Sequence, residues 1–387
     1  MIYLDNAATT AMRPEVLDAM LPYMKESYGN PGSVYSLGRE ARAAVDNARS
    51  QVAEFMGCKP EQVVFTSGGS EGNNLIIRGL ETELRRRERT SVLVSKIEHD
   101  SVLKAARALC IKDGFHLRTV SPDEFGVVGA YSVVQQLRLG NTGLVSVMAA
   151  NNETGVENVV SWISDLCHED GALFHTDMVQ AAGCTPLRVV GLGVDFATIS
   201  SHKIHGPKGV GAIYGKNLSL LSPLICGGAD QEFGFRGGTE NVAGIVGFGK
   251  ACEISGRELE SSMATMKKLW NLFLNTIKDR MQIGVDFFIN GLGACTTRKT
   301  MSIRFPDVDA QSLILMLDTL GICVSAGSAC TSHESTPSHV LTAMGLSAEQ
   351  AHSTIRVSFS ELNTEDEVSY AANKIADCVN CLREIHV

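Results

Sequence analysis

From about residue 62 onward, short apolar runs rich in β-branched residues alternate with helical stretches, and this alternation restricts the chain more than any other feature. Strand-like runs fall at 63–65, 91–94, 116–120, 144–147, 172–175, 196–199 and 210–213, with helical stretches such as 101–109 and 162–168 between them. Several runs are apolar throughout rather than alternating, as strands covered on both faces are. Strands separated by helices form βαβ units. The fold class that follows is α/β, a mostly parallel seven-stranded sheet flanked by helices.

Past Gly256 the pattern changes to a long helix over 258–281, a strand at 301–305, a helix over 310–320 and a last helix from Glu365. These read as a smaller α+β unit. A chain of 387 residues is longer than one core usually grows, so two packed units are expected. The larger is assigned to 14–256 and the smaller to 1–13 plus 257–387. The pattern of the first thirteen residues does not itself carry that assignment.

Hydrophobic residues make up 44% and charged residues 20%, the mixture of an ordinary globular protein. The net charge of -9 argues against a direct nucleic-acid groove, which needs clustered Lys and Arg. The one basic run, Arg85-Arg86-Arg87, is followed by Glu88 and reads as a solvated helix end. There is no basic leader followed by an apolar core, and no run reaches the ~18 apolar residues of a membrane span, so a soluble cytoplasmic protein is expected. Eleven cysteines, odd in number and without framework spacing, point to a reducing compartment. Cys378 and Cys381 match C-x-x-C but lie in a helical segment with no second ligand pair for zinc.

Ligands of open α/β sheets bind at the carboxyl ends of the strands, so the polar residues there are the candidates for chemistry. The first strand is followed by Thr66-Ser67-Gly68-Gly69-Ser70-Glu71, either a phosphate cradle at a helix start or a glycine turn with Ser70 as helix cap. The fifth runs into Asp177 and Gln180; the aspartate is either a cap or the partner of a protonated ring nitrogen. The sixth runs into Ser200-Ser201-His202-Lys203-Ile204-His205-Gly206-Pro207-Lys208-Gly209. A lysine at the end of a buried strand loses its proton readily, which suits Schiff-base chemistry. His202 and His205 lack acidic partners, so no metal site is expected.

The segment at 200–209 closely resembles the cofactor-lysine segment of the NifS/IscS-type cysteine desulfurases, a branch of the fold-type I pyridoxal-phosphate (PLP) enzymes within aminotransferase class V. Further matching motifs run nearly end to end: Tyr3 to Thr10, Asn30-Pro31-Gly32-Ser33, Glu98-His99, Asn151 to Gly155, Arg236 to Asn241, and Ser325 to Cys330. The resemblance implies PLP bound covalently to Lys203, Asp177 on the pyridine nitrogen, Gln180 near the ring hydroxyl and His99 stacked on the ring. It implies Gly69, Ser70, Ser200 and His202 at the phosphate, and a homodimer in which Thr239 reaches the neighbouring subunit's site. Asn152 and Arg356 are implied as the clamp on the substrate carboxylate, a task that suits the planar fork of arginine.

Cys330 discriminates among the activities of this scaffold. Its neighbours Ser325, Ala326, Gly327, Ser328, Ala329, Thr331 and Ser332 are small and fit a loop better than a packed core, and they resemble the class with the longer catalytic loop. The plain alternative is one more small core cysteine. The activity implied is a cysteine desulfurase: Lys203, freed by L-cysteine, moves the α-proton, and Cys330 attacks the sulfur to give a persulfide and alanine. A selenocysteine lyase or an aminotransferase on the same scaffold would give Cys330 less to do, and a non-enzymatic scaffold subunit would not need the whole set. The sulfur acceptor is expected to be a protein; iron-sulfur assembly, tRNA thiolation and DNA phosphorothioation all use such enzymes. Tyr35, where many relatives have histidine, and Gly69, where alanine is common, depart from the family pattern.

Overall fold

The computed structural model describes residues 1–111, 114–186, 188–228, 231–327 and 336–385. Its strands, in chain order, are β1 (Ile2–Tyr3), β2 (Val63–Thr66), β3 (Ser91–Ser95), β4 (His116–Val120), β5 (Thr142–Ser146), β6 (Leu173–Asp177), β7 (Phe196–Ser200), β8 (Gly211–Gly215), β9 (Phe288–Asn290), β10 (Thr300–Arg304), β11 (Ile322–Cys323) and β12 (Thr354–Ser358). Seven of them form one sheet in the order β2-β8-β7-β6-β5-β3-β4. The pairs from β4 through β3, β5 and β6 to β7 are parallel, while β8 runs antiparallel to both β7 and β2. The reversal has a simple cause. Only the turn at 201–210 joins β7 to β8, too short for the crossover that a parallel pair needs.

Side chains alternate between two apolar cores on the faces of this sheet. Val63, Phe65, Leu93, Ala197 and Ile199 point into one. Val64, Val92, Val94 and Phe196 point into the other. Both faces are covered by helices, which is why β2, β3, β5, β6, β7 and β8 are buried along their whole length. A third core holds Leu4 and residues from Leu269 to Leu382, around the antiparallel sheet β12-β10-β9 and the parallel pair β1-β11.

One element departs from the expected pattern. A single helix, Val242–Lys278, runs through the position where a new helix was expected to begin at 258. Gly244, Gly247 and Gly249 make its first half look like a loop in sequence. In the fold two of them are close-approach points: a Cβ on Gly247 would sit 2.6 Å from the Met20 sulfur, and one on Gly249 2.7 Å from the Ala48 Cα. Asn241 caps the start by accepting from the Gly244 amide at 3.1 Å. The first half packs Ile245, Phe248 and Cys252 into the first sheet core, and the second packs Leu269, Phe273 and Ile277 into the third. No helix among the described residues is long and apolar enough to cross a membrane.

The N-terminal segment also links the two regions. Its β1 pairs with β11, and Leu4 is fully buried in the third core. The chain then crosses to the large sheet, where the Thr10 amide donates to the His202 carbonyl at 3.0 Å.

Candidate active site

Lys203 closes a short 3-10 turn directly after β7, at the carboxyl edge of the sheet. Its Nζ donates to the carbonyls of Ala7 at 2.6 Å and Ala8 at 2.8 Å, so the N-terminal crossing forms one wall of its pocket. Burial pushes its pKa down to about 7; Lys299 and Arg356 add to that effect, and Asp5 and Asp177 oppose it. An amine so placed is substantially uncharged at neutral pH and able to act as a nucleophile. His202, beside it, is pushed down to about 4 by burial and then by Lys203, Lys208 and Lys299, and its Nδ1 lies 3.1 Å from the Thr9 hydroxyl.

Asp177 is the last residue of β6, at the strand end where the sequence puts it, and is buried. Its Oδ2 accepts from Asn73 Nδ2 at 2.7 Å and its Oδ1 from the Val179 amide at 2.9 Å, which fixes the carboxylate plane. Gln180 Nε2 donates to the same Ala7 carbonyl as Lys203, at 3.0 Å, and its buried Oε1 has no partner. Lysine and glutamine therefore meet at one oxygen. His99 caps the helix Asp100–Cys110, its Nδ1 accepting from the Ser101 amide at 3.1 Å, which leaves Nε2 to carry the ring proton. Behind it, burial raises Glu98 to about 8, against hydrogen bonds from Ser95 and the Met148 amide. At neutral pH Glu98 holds its proton.

The glycine loop after β2 opens the helix Gly69–Gly79, whose first amides have no acceptor within the helix. Gly68 takes φ 151°, a conformation that favours glycine. A Cβ on Gly69 would stand 2.9 Å from Val179 Cγ2 and 3.8 Å from Ser200 Cβ, so the loop, the residue after Met178 and the end of β7 converge. Ser70 is exposed and Ser200 buried.

Arg356 lies in β12, fully within the smaller region, yet reaches this cleft. Its guanidinium donates to Asp5 Oδ1 at 2.7 Å and to the Asn152 carbonyl at 3.1 Å, and its buried Nε has no partner. Arg356 and Asn152 are thus adjacent, joined through the Asn152 main chain. Thr239 is exposed and makes no hydrogen bond to the lysine pocket among the described residues. Cys330 lies outside the described residues. Residues flanking it reach the same cleft: Ser325 pairs through both main-chain groups with Arg356, Ser338 donates to Glu153 at 2.5 Å, and His339 Nε2 is 2.9 Å from the Glu98 carbonyl.

Sequence reasoning missed Asn73, which holds Asp177; Asp5, which holds Arg356; and Lys299, whose Nζ donates to the Lys203 carbonyl at 3.0 Å. Asn73 gave a weak signal, a polar residue one turn into a helix just ahead of the apolar Leu75-Ile76-Ile77. Asp5 lay in a motif already noted. Lys299 gave none.

Comparison with known proteins shows the family. The model of a family described as aminotransferase class V matches residues 2–370. A protein named cysteine desulfurase IscS from Dictyoglomus turgidum is 39% identical over 384 residues, covering 99% of this chain and 96% of its own. A putative cysteine desulfurase IscS 1 from Bacillus subtilis is 41% identical over 98% of this chain and 99% of its own. A solved structure titled NifS-like protein superposes with a TM-score of 0.89 at 35% identity, covering 98% of this chain and 99% of that one.

Proposed function

The chain belongs to the aminotransferase class-V family, and from that premise we propose that it is a PLP-dependent cysteine desulfurase, converting L-cysteine to L-alanine and passing the sulfur to an acceptor protein. The observation that carries the reading is the meeting of Lys203 Nζ and Gln180 Nε2 at the Ala7 carbonyl, beside a fixed Asp177 and a helix start with free amides.

The residues present fit the cofactor. Gln180 Oε1 is buried and unpartnered, Asp177 is held by two donors, and the glycine loop leaves room that a side chain would fill. Lys203 would hold the aldehyde carbon, Asp177 the pyridine nitrogen, Gln180 the ring hydroxyl, and Gly69, Ser70, Ser200 and His202 the phosphate, with His99 over the ring. When bound, PLP supplies an electron-withdrawing ring that stabilises negative charge at the substrate α-carbon.

This chain's own groups do the rest. Arg356 and Asn152 orient the substrate carboxylate, for which Arg356 exchanges its bond to Asp5. Lys203, uncharged in good part near pH 7, takes the α-proton. The Cys330 thiolate attacks the substrate sulfur: an S–S bond forms, the carbon–sulfur bond breaks, and its electron pair stays with the fragment released as alanine. The enzyme works as a homodimer in the cytoplasm, where Thr239, free of its own lysine pocket, serves the neighbouring site.

Two variants test the reading. Lys203→Ala should remove the visible absorbance formed with PLP. Cys330→Ser should keep that absorbance and lose sulfide release from L-cysteine under reducing conditions; surviving release would refute the persulfide step.

A further inference from the structure

Lys299 sits on the approach to β10 and is buried, 4% exposed. Its Nζ makes one hydrogen bond among the described residues, to the Lys203 carbonyl at 3.0 Å, and it forms no ion pair there. A buried ammonium without an ion-pair partner is costly. Beside it lies a cavity of about 20 Å³ bounded by Lys203, Lys299, His205, Ser255 and Glu361. That volume holds one water, which can accept from Lys299 and donate to Glu361. Glu361, which burial alone would raise, is instead held well below the usual carboxylate range by His205 and Arg13 and so supplies a fixed negative charge.

The charged groups around Lys203 come from every side of the pocket. The N-terminal segment brings Asp5, β6 brings Asp177 and β12 brings Arg356; the turn itself carries His202 and Lys208. Asp5 is engaged by Arg356, and Asp177 by Asn73. Glu157, which faces Arg298, and Glu361 both act on Cys184, as does Lys299. Among the cationic groups acting on Lys203, Lys299 acts most strongly.

We propose that Lys299 is a positioning residue for Lys203: its buried positive charge, fixed at the carbonyl of Lys203 itself, disfavours a proton on the Lys203 side-chain nitrogen and keeps that nitrogen ready to act as base and nucleophile at neutral pH. The proposal rests on Lys203 being the cofactor lysine. A hydrogen bond alone would not do this, because any neutral donor could hold the carbonyl; the charge is the active property.

The test is a pH titration of the visible absorbance of the PLP-loaded enzyme, comparing the native protein with Lys299→Met, Lys299→Gln and Lys299→Arg. Loss of the charge in the Met and Gln variants should move the midpoint up by about one pH unit, a tenfold change in the proton equilibrium. Lys299→Arg should stay close to the native midpoint. The Gln variant answers even if Met prevents folding, since glutamine keeps a donor for the Lys203 carbonyl. A Gln midpoint equal to the native one, or an Arg midpoint displaced as far as that of Met, overturns the proposal. A native protein that forms no visible band overturns the PLP reading itself, whereas a band whose midpoint ignores residue 299 overturns this inference alone.

Discussion

Chemistry at the site depends on single side chains whose surroundings contradict their ordinary behaviour. At Gly69 a side chain would be crowded by Val179, whose Cγ2 would lie 2.9 Å from an added Cβ. Gly69→Ala should therefore weaken PLP retention by about 1–2 kcal/mol, as overpacking does, and Gly69→Ala/Val179→Ala should recover it. Equilibrium titration of apoprotein with PLP reads both; equal weakening in the single and double variants would remove Val179 as the cause. Glu98 offers a test in pH. Its folded pKa, raised to about 8, exceeds the usual 4.5, so the folded state binds the extra proton between those values. Its contribution to stability is complete below about 4.5, falls as pH rises toward about 8 and is level beyond, a loss on the order of a few kcal/mol. Glu98→Gln keeps the oxygen that accepts from Ser95 and Met148 but has no such fall, so its melting temperature should gain on the native protein from pH 5 to pH 8.5. A constant difference across that range would refute the assignment. Lys203, Asp177 and Gln180 were legible in sequence because they lie at or just past the ends of buried strands. Lys299 and Asn73 were not, since their partners are brought together only by the tertiary fold.

Elements were legible where burial is symmetric. The large-sheet strands covered on both faces print as apolar runs, and the expected positions agree with β2 through β8, the exposed edge strand β4 included, to within a few residues. The direction of β8 was not expected, because direction depends on the length of the connection rather than on the strand's composition. The helix Val242–Lys278 was misread at its start, since glycine lowers helix propensity and three glycines suggest a loop. Gly247 lies against Met20, Gly249 against the helix Ser36–Met56 and Gly244 under the Asn241 cap, contacts that no periodicity encodes. Gly249→Val places a branched side chain where a Cβ alone would meet Gln51 at 2.4 Å and Ala48 at 2.7 Å. It should destabilise the protein by about 1–3 kcal/mol, read as a lowered melting temperature, although valine is the better helix former. A higher melting temperature would mean that propensity, not packing, governs this stretch.

Across the whole molecule, the site is divided between two regions: Lys203, Asp177 and His99 belong to the large sheet, whereas Arg356 belongs to the core that holds Leu4 and Leu269 to Leu382. The chain passes between them through the N-terminal crossing and through the helix Val242–Lys278, and the distance from amine to guanidinium depends on both. Gly256 lies mid-helix between the two packing surfaces, and a Cβ there would meet only Phe55, at an ordinary 3.5 Å. Gly256→Ala should thus stabilise the helix by roughly 0.5–1 kcal/mol with unchanged kinetics. Gly256→Pro removes a helix hydrogen bond and kinks the rod at a cost of about 3 kcal/mol. Because Lys203, Asp177, Gln180 and the glycine loop all precede that kink, the proline variant should keep a visible PLP band while the KM for L-cysteine rises by about tenfold, the signature of a displaced carboxylate clamp. An unchanged KM in a folded proline variant would mean that the N-terminal crossing alone sets the spacing between the two halves of the site.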